Sequence, residues 1–414
     1  MLAVFSKSIT ERLKYVLNFC FTDKGIEVQL FDDQKQFEDY DGARLNYSSL
    51  PLDTDFAIDP SGLLFENDID EDLELIEDEG ELTIRESVDP LSVIFFIISR
   101  YEEYLPHEKD QHGRYLASNS QLYKLDLLKQ PVADKLTKKL WIKLNLSYEH
   151  VQSKFELVPS FDIDVAWAYK NRPFWRKLGA FSKGKIAERL SVLLHLKKDP
   201  YDTYSTIMKI ASELNRIICF VPLSDYGPND KNISWKNEAY RSLIRGLNAS
   251  GGVGLHPGYA SHLNEDKLLN EKERLEEIVG HEMVKSRFHF LRFQIPDNYL
   301  MMYSLGFTKD YSMGYAEEVG FRAGTSFPFY FFDLKNNQQT NYLIFPFAYM
   351  DNTFKDYLKA SPEEAIEEMK SLMDEVKNVG GVFMCIWHNH SINNKGEWAG
   401  WYQLLDETVK WSKK

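Results

Sequence analysis

The sequence predicts an α/β protein: a distorted (β/α)7-type barrel over residues 151–414, preceded by a smaller α+β domain over residues 1–150. Three observations carry this expectation. The hydrophobic rhythm changes near residue 150, from mixed patterns to short apolar runs alternating with amphipathic helices. Several of those runs end in ionisable residues, as strands do when they converge on one rim of a parallel barrel. A chain of 414 residues also exceeds one ordinary core and suits two units.

In the first unit, Ile9 to Phe21 has helical apolar spacing, and Gly25 to Phe31 alternates like a strand with one wet face. Asp89-Pro90 opens a strongly apolar helix, with proline at an early position where its missing N–H costs nothing. That helix ends near Arg100 to Pro106, and the polar, turn-rich stretch His107 to Ser120 reads as an ordered loop. Before that helix lies an acidic stretch, Glu66 to Glu81. Asp68, Asp70, Asp72 and Glu79 match positions of a calcium loop, but Leu73 stands where that loop turns on glycine, so a solvated acidic face is expected.

In the second unit, strands are expected at Phe155–Phe161, Ile217–Pro222, Val253–His256, Phe288–Phe293, Tyr342–Phe347 and Val382–Trp387. Ser361-Pro362-Glu363-Glu364 supplies an N-cap, a first-turn proline and early acids for a helix that stops at Gly380-Gly381. Asn264 to Val279 is a charged amphipathic helix stopped by Gly280. The Lys- and Arg-rich segment 170–205 is a long excursion after the first strand, read either as a functional rim loop or as an inserted helical hairpin.

Composition excludes some classes. The net charge of −14 leaves no basic surplus to displace phosphate counterions, so no nucleic-acid partner is expected. Cys20, Cys219 and Cys385 sit in apolar stretches without C-x-x-C spacing, as buried reduced thiols do. The N-terminus meets charged residues too early for a signal peptide, and the apolar run Leu91 to Ile98 is far short of the ~20 residues of a membrane span. A cytoplasmic protein without a membrane span is expected.

The chemistry concentrates at strand ends. Strand alternation puts Asp162 and Asp164 on one face, too close for both to remain unpaired anions, and a divalent cation would resolve the repulsion. The alternative is that both cap the strand end. His256 follows a Gly-rich apolar strand, Arg292 lies in Phe288 to Phe293, and His388 and His390 end the last run. His289 and Arg292, three apart, cannot both face the site from a regular strand; Arg292 is favoured and His289 assigned to packing.

These residues resemble the motifs of polysaccharide deacetylases of the NodB-homology type (carbohydrate esterase family four), over residues 155–414. Ser160-Phe161-Asp162-Ile163-Asp164 is similar to the family's first motif, which implies Asp162 as general base and Asp164 as metal ligand. His256 resembles the first histidine of the H-S/T-x-x-H motif. Ala260 stands where the second belongs, with Ser261 and His262 following; His262 is taken as the candidate third ligand. Arg292 is similar to the arginine that fixes the catalytic aspartate, and Ile386-Trp387-His388 to the last motif, with His388 as general acid. Asp351 falls in the interval of the missing fourth motif and would tune that histidine.

The resemblance implies a metal-dependent N-acyl (N-acetyl) hydrolase acting on an N-acetylated sugar or glycan precursor, with zinc expected and cobalt or manganese as alternatives. Tyr259, Arg322, Trp387 and His390 are candidate substrate contacts, Arg322 being as well suited to a salt bridge. Two rivals stand beside this reading. One is an amide or imide hydrolase of a small intracellular molecule. The other is an inactive saccharide-binding or scaffold barrel, supported by the missing second histidine. Residues 1–150 are expected to fold apart and to supply no catalytic group.

Overall fold

The computed structural model describes residues 1–171, 186–214 and 216–414; much of the basic segment 170–205 lies outside them. Residues 2–58 form a parallel sheet of order β2-β1-β3-β4, with β1 Leu2–Phe5, β2 Val28–Phe31, β3 Ala43–Tyr47 and β4 Phe56–Ile58. An antiparallel hairpin, β5 Leu75–Asp78 and β6 Glu81–Ile84, covers the acidic stretch, where Arg85 pairs with Glu66 and Asp70. The helix Glu11–Cys20 starts on the Thr10 side chain, and Pro90–Ile98 on that of Asp89, which accepts from Leu91 N and Ser92 N. Both caps satisfy N–H groups that have no partner inside the helix.

The second sheet has nine strands: β7 Glu156–Asp162, β8 Ile218–Val221, β9 Val253–Leu255, β10 Lys285–Ser286, β11 Lys309–Asp310, β12 Phe329–Asp333, β13 Gln338–Ile344, β14 Tyr349–Met350 and β15 Val382–His388. Their order is β12-β13-β11-β10-β9-β8-β7-β15-β14, all parallel to their neighbours except β12, which hairpins back on β13. Side chains alternate between two environments. Val158, Phe220, Phe345, Met384 and Ile386 meet in one apolar cluster inside the curl of the sheet. Leu157, Phe161, Cys219 and Trp387 face outward into the main core under the helices. This is a curled, nine-stranded half-barrel, a mixed α/β architecture that agrees in outline with the distorted (β/α)7-type barrel expected. Between β13 and β14 the backbone is bridged by loop hydrogen bonds, Phe347 N to Met313 O (3.0 Å) and Gly320 N to Ala348 O (2.8 Å).

Two expected strand positions shift. The run Phe288–Phe293 is not a strand. Phe290 and Leu291 have φ of 61° and 52°, so the backbone turns through His289–Leu291 directly after the two-residue β10. Tyr342–Phe347 begins earlier than expected, as β13, and leaves the ladder after Ile344.

The units 1–150 and 151–414 meet in one continuous core. Tyr15 Oη donates to Tyr330 O (2.7 Å), and Asp134, fully buried, accepts from Thr325 Oγ1 and Ser326 N (both 2.7 Å). Arg322, expected at the barrel mouth as a ligand anchor, is instead buried in this junction. Its Nε and Nη2 donate to the two oxygens of Glu103 (2.9 and 2.6 Å), and Arg100 Nε shares Glu103 Oε1 (2.8 Å). Burial opposes ionisation of Glu103, but the two guanidinium groups prevail and hold it at about 2. All three cysteines are buried and free, and no helix among the described residues is long and apolar enough to cross a membrane. Glu103→Ala leaves Arg322 buried without its carboxylate. It should cost about 3–5 kcal/mol of stability, seen as a lowered urea midpoint at unchanged slope. An unchanged midpoint would mean that the Glu103 ion pairs add nothing to the stability of the junction.

Candidate active site

Seven ionisable groups of the site leave a parallel strand at its C-terminal end or just beyond. Asp162 ends β7 and Asp164 follows two residues later. His256 comes directly after β9, Arg287 and His289 after β10, Asp351 after β14, and His388 ends β15. In the ladder Asp162 and His388 are direct partners, so their side chains leave the sheet side by side.

Asp162 is fixed by Arg287, which is fully buried. Arg287 Nη1 donates to Asp162 Oδ1 (2.9 Å), Nη2 to Ser160 Oγ (2.8 Å) and Nε to Tyr311 O (2.9 Å). Its guanidinium lies 4.3 Å from the centre of the Phe220 ring. Gly254 permits this arrangement, because a Cβ there would come within 2.5 Å of that ring. Arg292, expected in this role, does not reach Asp162. It ties two loops together by donating to His112 O (3.0 Å) and Tyr259 O (2.9 Å) and stacking on Tyr259.

Around Asp164 three imidazoles turn their Nε2 atoms inward. His256 Nε2 is 3.2 Å from Asp164 Oδ1, while His289 and His388 Nε2 each lie 3.6 Å from Oδ2. The opposite nitrogen of each ring is held by an acceptor. His256 Nδ1 donates to Arg287 O (2.6 Å), His289 Nδ1 faces Asp230 Oδ1 (3.3 Å), and His388 Nδ1 faces Asp351 Oδ1 (2.8 Å). Asp230 is anchored by Tyr259 N (2.8 Å), and Asp351 by His388 N (2.8 Å) and the Ser391 hydroxyl. Such carboxylate–imidazole pairs fix the tautomer and the direction of metal-ligating histidines.

The donor set fits a divalent cation. Asp164, His256 and His289 offer one carboxylate oxygen and two imidazole nitrogens within 4.8 Å of one another. Asp164 Oδ1 is buried and accepts no hydrogen bond, a cost that a cation would relieve. Electrostatics point the same way. Burial disfavours a charged His289, yet Asp164 and Asp230 outweigh it and raise its pKa to about 9. Burial likewise opposes protonation of His388, but Asp351 and Asp164 push it up to about 10. Asp164 itself is held well below the usual carboxylate range by His289, His256 and His388 against its own desolvation.

Several sequence expectations fall elsewhere. His262 is not in the donor cluster; burial and the charge of Arg292 lower its pKa. Ser261 donates its hydroxyl to buried Glu271. Trp387 is fully buried and faces the helices, because alternation sends it opposite to His388. Tyr259 lies beside the site, its hydroxyl 3.2 Å from His112 Nδ1, and His390 packs against His388, Tyr201 and Trp398. Asp351 stands behind His388. His289, assigned to packing from the sequence, is brought to the centre, together with Arg287 and Asp230. The pocket above them, about 150 Å³, is also walled by Arg114 of the N-terminal unit.

Residues 2–149 match the model of a family described as a family of unknown function (DUF7033). No curated protein matches the chain. Among solved structures, it is similar to a putative polysaccharide deacetylase from Mycobacterium smegmatis, at 16% identity over 62% of this chain and 84% of that one, with a TM-score of 0.42. It is similar to Puue allantoinase at 12% identity over 62% and 84% of the two chains, with a TM-score of 0.39. A probable polysaccharide deacetylase from Pseudomonas aeruginosa PAO1 gives 14% identity, 62% and 85% coverage, and a TM-score of 0.38.

The raised histidines make metal-free stability depend on pH. Unfolded histidine titrates near 6.5, so between about 6.5 and about 10 the folded chain holds more protons than the unfolded one. Stability should be full below that window and fall as pH rises through it. Denaturant midpoints of chelator-treated protein should show this decline, and His388→Asn should make it shallower, leaving the part that His289 contributes. A flat profile in the wild type would mean that neither histidine is protonated above its unfolded range.

Proposed function

We propose that the chain is a metal-dependent hydrolase of N-acyl (amide) bonds, with an N-acetylated sugar or a similarly small N-acylated molecule as substrate. The observation that carries this reading is the Asp164–His256–His289 donor cluster beside Asp162 and His388, which leave adjacent strands as partners. A divalent cation held by Asp164, His256 and His289, zinc by the character of the donors, would supply water activation and carbonyl polarisation.

The remaining steps belong to side chains. Asp162 is kept in place by Arg287 through Oδ1, which leaves Oδ2 facing the pocket to take a proton from attacking water. His388 enters neutral conditions protonated, its Nδ1 side bound to Asp351, so its Nε2 proton is available to the departing amine. Asp351 and Arg287 are positioning residues. The inactive-barrel rival drew support from the histidine missing at position 260; His289, reaching the cluster from β10, removes that support. The small volume of the pocket favours a substrate of about one ring over an extended polymer segment, which keeps the small-molecule amide or imide reading open beside the sugar.

Metal titration tests the ligand set. Stripped full-length protein should bind one equivalent of zinc, measured by equilibrium dialysis; His256→Ala and His289→Ala should lose it, and His262→Ala should retain it. Absence of binding in the wild type would remove the hydrolase reading. Kinetics test the roles: Asp162→Asn and His388→Asn should keep zinc but lower kcat on N-acetylated sugars by about 10²–10⁴-fold. Arg287→Lys should lower kcat more than it raises KM, because lysine cannot hold a carboxylate and a hydroxyl in one plane. Arg292→Lys, acting on loops, should leave kcat near wild type.

A further inference from the structure

Two large aromatic side chains remain exposed at the mouth of the pocket, Phe290 at 38% and Tyr357 at 44%, and both form its walls. They come from segments far apart in sequence, and one residue of the N-terminal unit joins them. Arg114 Nη1 donates to Phe290 O (3.1 Å) and Nη2 to Tyr357 Oη (3.2 Å), while Asp110 holds its Nε (2.6 Å). The Phe290 ring is further braced by His289 at 4.6 Å, His112 at 5.3 Å and Tyr259 at 5.4 Å between centroids.

Phe290 holds this position at φ 61° and ψ 10°, a conformation that bulky residues avoid. A strained backbone that presents an apolar ring to water is retained where the surroundings enforce it, which suits a ligand contact better than packing. Deeper in the same pocket, Asn352 Oδ1 is buried without a hydrogen-bond partner and offers an acceptor. The cavity has the volume of about 150 Å³ that accommodates a benzene-sized ring.

We propose that Phe290 and Tyr357 form an aromatic clamp for a single six-membered ring of the substrate, with Arg114 of the N-terminal unit as its positioning residue. The ligand class is an N-acylated pyranose: its C–H faces lie against the two rings, a hydroxyl or the amide N–H donates to Asn352 Oδ1, and the acyl group reaches down to Asp162 and Asp164. This inference rests on the hydrolase reading for the position of the acyl group. The clamp itself is separable from the chemistry.

The test uses the zinc-loaded full chain and two probes that mimic the acyl group at a metal, acetohydroxamate and benzohydroxamate, by isothermal titration. The ring-bearing probe should bind about tenfold more tightly. Phe290→Ala and Tyr357→Ala should each remove most of that advantage while acetohydroxamate affinity and zinc stoichiometry stay constant. Arg114→Lys, which keeps the charge but cannot bridge both partners, should remove part of it. N-acetylglucosamine should displace benzohydroxamate from the wild type and more weakly from the two alanine variants. An advantage that persists in both alanine variants overturns the clamp while leaving the hydrolase reading in place. Failure of both probes to bind zinc-loaded protein overturns the two together.

Discussion

Two carboxylates, Asp162 and Asp164, leave one strand toward the same buried face, and the rest of the site follows from keeping both ionised. Each would repel the other's charge in a region poor in water. The solution is unequal. Asp162 receives a permanent cation, Arg287, and is neutralised at 2.9 Å. Asp164 is instead ringed by imidazoles, whose charge depends on protons or on a metal. One carboxylate thus has a fixed partner and the other an exchangeable one. Under the proposed function, that asymmetry would separate a base from a ligand on two residues that the sequence makes nearly alike.

The imidazoles need their own support, and it comes from outside the barrel's inner face. Asp230 lies in the loop after β8, Asp351 just beyond β14, and the carbonyl of Arg287 completes the set. Because a carbonyl accepts only, His256 donates to it through Nδ1 and turns Nε2 toward Asp164. Arg287 therefore serves both carboxylates, one through its side chain and the other through its backbone. A single shift of the segment after β10 would disturb Asp162, His256 and His289 at once.

That segment is also where sequence and structure part. The ends of β7, β9 and β15 were legible, because each is a long or glycine-marked apolar run with an ionisable residue at its end or just beyond; Asp162, Asp164, His256 and His388 all meet at the pocket. β10 has two residues. An apolar run, Phe288–Phe293, follows it and imitates a strand, although it is a turn with two left-handed residues. Taking that run as the strand moved the choice to Arg292. Counting by twos from Ser286's neighbour would have linked Arg287 with His289, the same i, i+2 pattern as Asp162 and Asp164. Trp387 was open to the same reasoning, since a residue adjacent to His388 in a strand must face the other way. Asp230 and Arg114 carried no comparable signal: each sits in an irregular loop and acquires its role from tertiary contact alone.

The N-terminal unit was the least legible part, and its place alters what the barrel can be. Composition changes near residue 150, yet composition does not report which apolar faces are covered by which. Here the outward face of the half-barrel is buried against both helices of its own and the first unit, and the junction contains ion pairs among Arg100, Glu102, Glu103 and Arg322 that would be costly to expose singly. The open edge of the curled sheet, where a closed barrel would have another strand, is compensated by loops and by this packing. The loop 107–120 then continues from the junction to the pocket, carrying Arg114 to Phe290 and Tyr357. An open half-barrel exposes its site broadly, and a wall borrowed from the neighbouring unit narrows it. The unit thus reaches the site through the same chain segment that leaves its core.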